Sequence, residues 1–100
     1  MTDALRTELA DMVDSAEWTW LQPHANRDAV VVVDQALDLV DVGVAIATDN
    51  VTSVDHWIGE QLLRKPTLDQ LIRWERTEGL RFQALIVPPY VLVQQSPEAT

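Results

Sequence analysis

Ala29-Val30-Val31-Val32-Val33, Asp34-Gln35-Ala36-Leu37-Asp38 and Leu39-Val40-Asp41-Val42-Gly43-Val44-Ala45-Ile46-Ala47 follow one another in the sequence. How they are read decides the fold. The first piece is a β-branched run with no helical period, the mark of a strand buried on both faces. The last alternates, with Val40, Val42, Val44 and Ile46 on one face and Leu39, Asp41, Gly43, Ala45 and Ala47 on the other. Small side chains on that second face would admit a helix at close range. Two strands joined by a short polar connection make a β-hairpin, and that is the expectation for residues 29–47.

Working outward, Leu5, Leu9, Met12, Val13 and Ala16 recur at helical spacing and predict an amphipathic helix over residues 2–16. Trp18 to Ala25 holds a short second helical turn, and Pro23 argues against one continuous long helix. On the C-terminal side, Asp49 and Asn50 are good N-caps for a helix over residues 51–63. Gly59 in its interior costs roughly 1 kcal/mol against alanine. Thr67 followed by Gln70 fits a capping box, opening a helix that Gly79 ends. Leu80 to Val87 alternates as a strand, Pro88-Pro89 breaks it, and Tyr90 to Gln94 extends as an edge piece. The order α-β-β-α-α-β indicates an α+β two-layer sandwich: a three-stranded antiparallel or mixed sheet with helices on one face and an extra C-terminal edge piece. One domain over residues 1–95 is expected, with 96–100 as a loose tail.

The chain has 100 residues, 47% of them apolar, no cysteine, and a formal charge of −9. That length serves one core, and the share of Val, Leu, Ile and Trp argues against disorder. Without cysteine there are no disulfides, thiolate nucleophiles, Fe–S clusters or cysteine-based zinc sites. The acidity argues against a phosphate-backbone binder, so no nucleic acid is expected as partner. The charge is also lopsided. Residues 1–60 carry 12 acidic and 2 basic residues, and residues 61–100 carry 4 and 5. The N-terminus has neither a basic stretch nor an apolar run, and the longest apolar stretches are too short for a membrane span. A cytoplasmic address and no membrane partner are expected.

A hairpin sets the start of its first strand beside the end of its second. His24, Arg27, Asp28, Asp49 and Asn50 are thus expected at one end of the sheet, and the return of two helices brings Arg81 to them. Asp34, Asp38, Arg64, Lys65 and Pro88-Pro89 are expected at the other end. The first cluster mixes imidazole, guanidinium and carboxylate with a helix N-terminus, a place for a small anion. The simpler reading makes Asp49 or Asn50 an N-cap and pairs the charges with one another. A metal is not expected: His24 and Asp28 stand four apart, but the ligand set is incomplete. No Gly-x-Ser-x-Gly or glycine-rich phosphate loop is present, so no catalytic residue and no cofactor are assigned. Trp18, Trp20, Trp57 and Trp74, with Tyr90 on its strand edge, are candidate interface residues, since tryptophan is enriched in interaction hot spots.

Four stretches carry a resemblance: Trp20-Leu21-Gln22-Pro23-His24-Ala25-Asn26-Arg27-Asp28-Ala29-Val30, Leu37-Asp38-Leu39-Val40-Asp41-Val42-Gly43-Val44-Ala45-Ile46-Ala47-Thr48-Asp49-Asn50, Trp57-Ile58-Gly59-Glu60-Gln61-Leu62-Leu63-Arg64-Lys65-Pro66 and Arg81-Phe82-Gln83-Ala84-Leu85-Ile86-Val87-Pro88-Pro89-Tyr90-Val91-Leu92. Together the chain resembles a family of small uncharacterised bacterial proteins, frequent in cyanobacteria, called domain of unknown function 2288. The resemblance implies a soluble cytosolic protein and transfers no activity or catalytic residue. Two functional expectations result. The first is a protein-interaction or regulatory module, working as a homo-oligomer or with another protein. The alternative is a small-molecule or anion binder, an enzyme included, using His24, Arg27, Asp49 and Arg81.

Overall fold

The computed structural model describes residues 2–95, with side chains from residue 4; the tail at 96–100 lies outside the described residues. Among them the order is α1 (Thr2–Met12), β1 (Asp14–Glu17), α2 (Trp18–Asn26), β2 (Val30–Val33), α3 (Leu39–Ala47), α4 (Val51–Gly59), β3 (Leu63–Arg64), α5 (Leu68–Arg76), β4 (Arg81–Val87) and β5 (Tyr90–Gln95). The class is α+β, and the sheet is larger than expected. Five strands lie in the order β1-β4-β5-β2-β3. Pairing is antiparallel except for β2 with β5, where Val30 stands beside Val91 in a parallel register.

The expected hairpin is overturned. Leu39–Ala47 is a helix, not a second strand. Asp38 starts it, its carboxylate accepting from the Val40 amide at 2.8 Å and from the Asp41 amide at 3.4 Å, an N-cap that serves donors left orphaned by the helix start. Eight of the nine residues are apolar, so alternation and helical spacing were both satisfied; a run of that kind has no period of its own. Tertiary packing decides. Leu39, Val42, Gly43 and Ala45 are buried, and a Cβ added to Gly43 would stand 2.6 Å from Leu85 Cδ2. The missing side chain lets α3 press onto β4.

The two-layer expectation is also corrected, because helices cover both faces. One face carries Val30, Val32, Phe82, Val91 and Val93, packed by Trp18 and Leu21 of α2 and Trp74 of α5. The other carries Val33, Leu85, Val87 and Leu92, packed by Leu9 of α1, Leu39 and Val42 of α3, and Val54 and Trp57 of α4. Strand alternation distributes β2, β4 and β5 between the two layers. On the first face Trp18, Trp74 and Phe82 make three edge-on ring contacts with centroids 4.9–6.2 Å apart.

Three further boundaries shift. The first helix ends at Met12 rather than residue 16, and Asp14–Glu17 pairs along β4 as an edge strand. The helix expected over residues 51–63 ends at Gly59, and Leu63–Arg64 joins β2 as β3. Tyr90–Gln95 is not an edge: β5 is the middle strand, paired on both sides. The capping box of α5 stands, with Gln70 N donating to Thr67 Oγ1 at 3.1 Å and Thr67 N to Gln70 Oε1 at 2.9 Å.

Candidate functional site

Three helices end in the same way, and those endings frame the site. In α2, Asp28 N donates to Ala25 O (2.9 Å) and Ala29 N to His24 O (2.9 Å). In α3, Asp49 N donates to Ile46 O (3.2 Å) and Asn50 N to Ala45 O (2.8 Å). In α4, Gln61 N donates to Ile58 O (3.0 Å) and Leu62 N to Trp57 O (2.8 Å). Each is a Schellman ending, which needs one residue in the left-handed region. Asp28, Asp49 and Gln61 fill that role at φ 63°, 60° and 63°, where glycine is usual. Asn50 then starts α4 at once, its Oδ1 accepting from Ser53 N at 3.2 Å.

This tight α3–α4 corner leaves a groove of about 450 Å³ on the second sheet face. Val51, Val54 and Ile58 of α4 form one wall, Val31, Leu63 and Tyr90 line it from the sheet, and Asp49, Asp55, Arg64 and Lys65 edge it. Lys65 Nζ is held by the Asp28 carboxylate and by Asp28 O at 3.2 Å. Arg64 Nη1 donates to Gln61 O at 2.9 Å and stands 3.9 Å from Asp34 Oδ1. Among the described residues, the Asp49 and Asp55 carboxylates take part in no ion pair or side-chain hydrogen bond.

The expected sheet-end cluster divides. Asp28, Asp49 and Asn50 come to the groove end, together with Lys65, which was expected at the opposite end. His24 of α2 and Arg27, just past its C-terminal end, pair with each other through Nδ1 and the guanidinium. Arg81 is elsewhere. It binds Glu17 at 3.3 Å and Ser15 Oγ at 3.1 Å across the β1–β4 pair. Its neighbour Phe82 stands opposite Gln95, whereas the His24 end of α2 meets the sheet beside Val91. Four residue steps along β5, from Val91 to Gln95, separate the two, about 13 Å at strand rise. The cluster failed because it was built on a hairpin, and because β1 gave no sign of being the partner of Arg81. Among the described residues, no three His, Asp or Glu side chains converge on a point that could hold a metal.

The interface candidates divide as well. Trp18 and Trp74 are buried in the aromatic cluster, and Trp57 is half-buried against the second core. Trp20 is 68% exposed. Beside it, Met12 and Ile86 (each 51% exposed) line a second hollow of about 310 Å³, edged by Asp14 and His24. Ile86 alternates with Phe82 and Ala84, so this hollow lies on the first sheet face, where α2 and α5 leave the sheet uncovered. Met12 was missed because it falls on the apolar stripe of α1, and Ile86 because alternation along β4 does not say which face stays uncovered; exposure of an apolar residue near an element's end has no signature in the sequence.

Residues 4–95 match the family described as "Protein of unknown function (DUF2288)". The chain belongs to that family. The chain is also similar to a solved structure, PA1075 from Pseudomonas aeruginosa, determined in solution by NMR, at a TM-score of 0.80 and 31% identity over 97% of this chain and 89% of that one. A search among curated proteins finds no match. Among the described residues no helix is long and apolar enough to cross a membrane.

Proposed function

We propose that this member of the family is a protein-interaction module acting in the cytoplasm, and that it docks a partner chain, or a second copy of itself, through the face around Trp20. The observation that carries this is the exposure of Trp20 beside Met12 and Ile86 over a bare part of the sheet. A tryptophan is among the largest apolar surfaces a chain can offer, and its N–H remains available as a donor. Interfaces are enriched in tryptophan and methionine at their centres, with polar groups at the rim. Asp14 and His24 supply such a rim here. The absence of cysteine suits a reducing compartment.

The test compares wild type with Trp20→Ala by light scattering after size exclusion, and by capture from lysate of the native cell with mass-spectrometric identification. Wild type is expected to form a dimer or to retain one reproducible partner, and Trp20→Ala to lose it while unfolding at the same urea concentration. A wild-type chain that stays monomeric and retains nothing overturns the reading.

A further inference from the structure

We propose that the groove between α4 and the sheet binds a small organic cation: an amine carrying an aliphatic or aromatic body. The groove and the Trp20 face lie on opposite sides of the sheet, so this site is independent of the docking face.

Shape and polarity come first. At about 450 Å³ the groove falls within the roughly 300–1,000 Å³ of small-molecule sites, which are apolar with few polar groups. Val51, Ile58 and Tyr90 are 59%, 54% and 41% exposed, so their apolar surface along the groove is not consumed by the core. That surface selects an apolar body.

Charge selects its head. Both cations at the edge are already engaged, Lys65 by Asp28 and Arg64 by Gln61 O and Asp34. An anionic head would have to compete with those carboxylates for them. Asp49 and Asp55 have no such partner, so a cation entering the groove meets two uncommitted carboxylates. Counting Asp28 and Asp34 with their bases, the edge carries a net charge of −2. The chain as a whole is at −9, which favours the approach of cations over anions at low ionic strength. The Tyr90 ring adds a face on which an ammonium group is attracted.

The test is an NMR titration of the full chain with hexylamine, hexanol and hexanoate, three probes sharing one body. Hexylamine is expected to shift the amide signals of residues 49–58 and Tyr90 and to bind more tightly than hexanol, with hexanoate weakest. The Asp49→Asn/Asp55→Asn double variant keeps a side chain that tolerates the left-handed backbone at position 49 and should bind hexylamine about tenfold more weakly, as two partly exposed ion pairs allow. Its affinity for hexanol should be unchanged, which also shows that the groove still folds. Added salt should weaken the amine and spare the alcohol. Equal affinity for all three probes, tighter binding of hexanoate, an unaffected double variant, or shifts confined to the Trp20 face would each overturn the proposal.

Discussion

Four tryptophans occupy three environments, and each environment sets what its substitution does. Trp74 lies at the centre of the aromatic cluster against Trp18 and Phe82. Trp74→Ala should cost about 3–5 kcal/mol, the range for emptying a large aromatic site in a core, read as a lowered urea midpoint. Trp18 differs in one atom: its Nε1 is buried with no acceptor among the described residues. A buried donor left unpaired costs about 1–3 kcal/mol, and phenylalanine removes it together with the ring atoms. Trp18→Phe is therefore expected to be less destabilising than Trp74→Phe, by the same measurement. Trp20 is exposed on the single chain, so in samples dilute enough to be free of a docked partner Trp20→Phe should leave stability within about 0.5 kcal/mol and remove the component of fluorescence most accessible to iodide quenching. If quenching is unchanged in that variant, Trp20 is covered in solution.

Helix endings and one helix-to-sheet contact govern the next scale. Gln61 holds a left-handed backbone with an exposed, non-glycine side chain. Gln61→Gly should stabilise the protein by about 0.5–1 kcal/mol, since glycine takes that conformation without steric cost. Gly43→Ala should act the other way, by about 1–3 kcal/mol, because the methyl group would meet the end of the Leu85 side chain, whose shift to make room would disturb a fully buried part of the core. A thermal melt of each variant checks the signs. These same elements explain what the sequence disclosed. The α5 capping box was legible because Thr67 and Gln70 act locally. The β2 and β4 strands were legible because β-branched or alternating runs of that length have little else to be. The helix α3 was illegible because nearly every position is apolar, leaving the choice to packing against β4. The β1 and β3 strands hold four and two residues, too few to show a period. The candidate site inherited this: Asp49 and Asn50 were found through capping chemistry, whereas the groove they edge exists only once α3 is a helix.

The charge distribution matters most for the whole molecule. Surface ion pairs such as Arg6 with Asp41 and Arg81 with Glu17 are exposed on both sides and contribute little each, whereas a total of −9 on 100 residues repels itself. Moving from low salt to 0.15 M sodium chloride, where screening acts within about 8 Å, should therefore raise the melting temperature; a fall would mean that the ion pairs outweigh the repulsion.

The central place of β5 carries a consequence for how the chain is made. Val91, Leu92 and Val93 reach into both hydrophobic layers and bridge β4 to β2, yet they are synthesised after every other strand described. A nascent chain that has not reached residue 93 holds β2 and β4 with bare inner edges and neither layer closed. Distant pairing of this kind slows folding and leaves strand edges open to mispairing. Vulnerability to aggregation or proteolysis should thus be concentrated in the interval before the last strand emerges, and fragments released near Pro89 should be cleared rather than accumulate as partly folded protein.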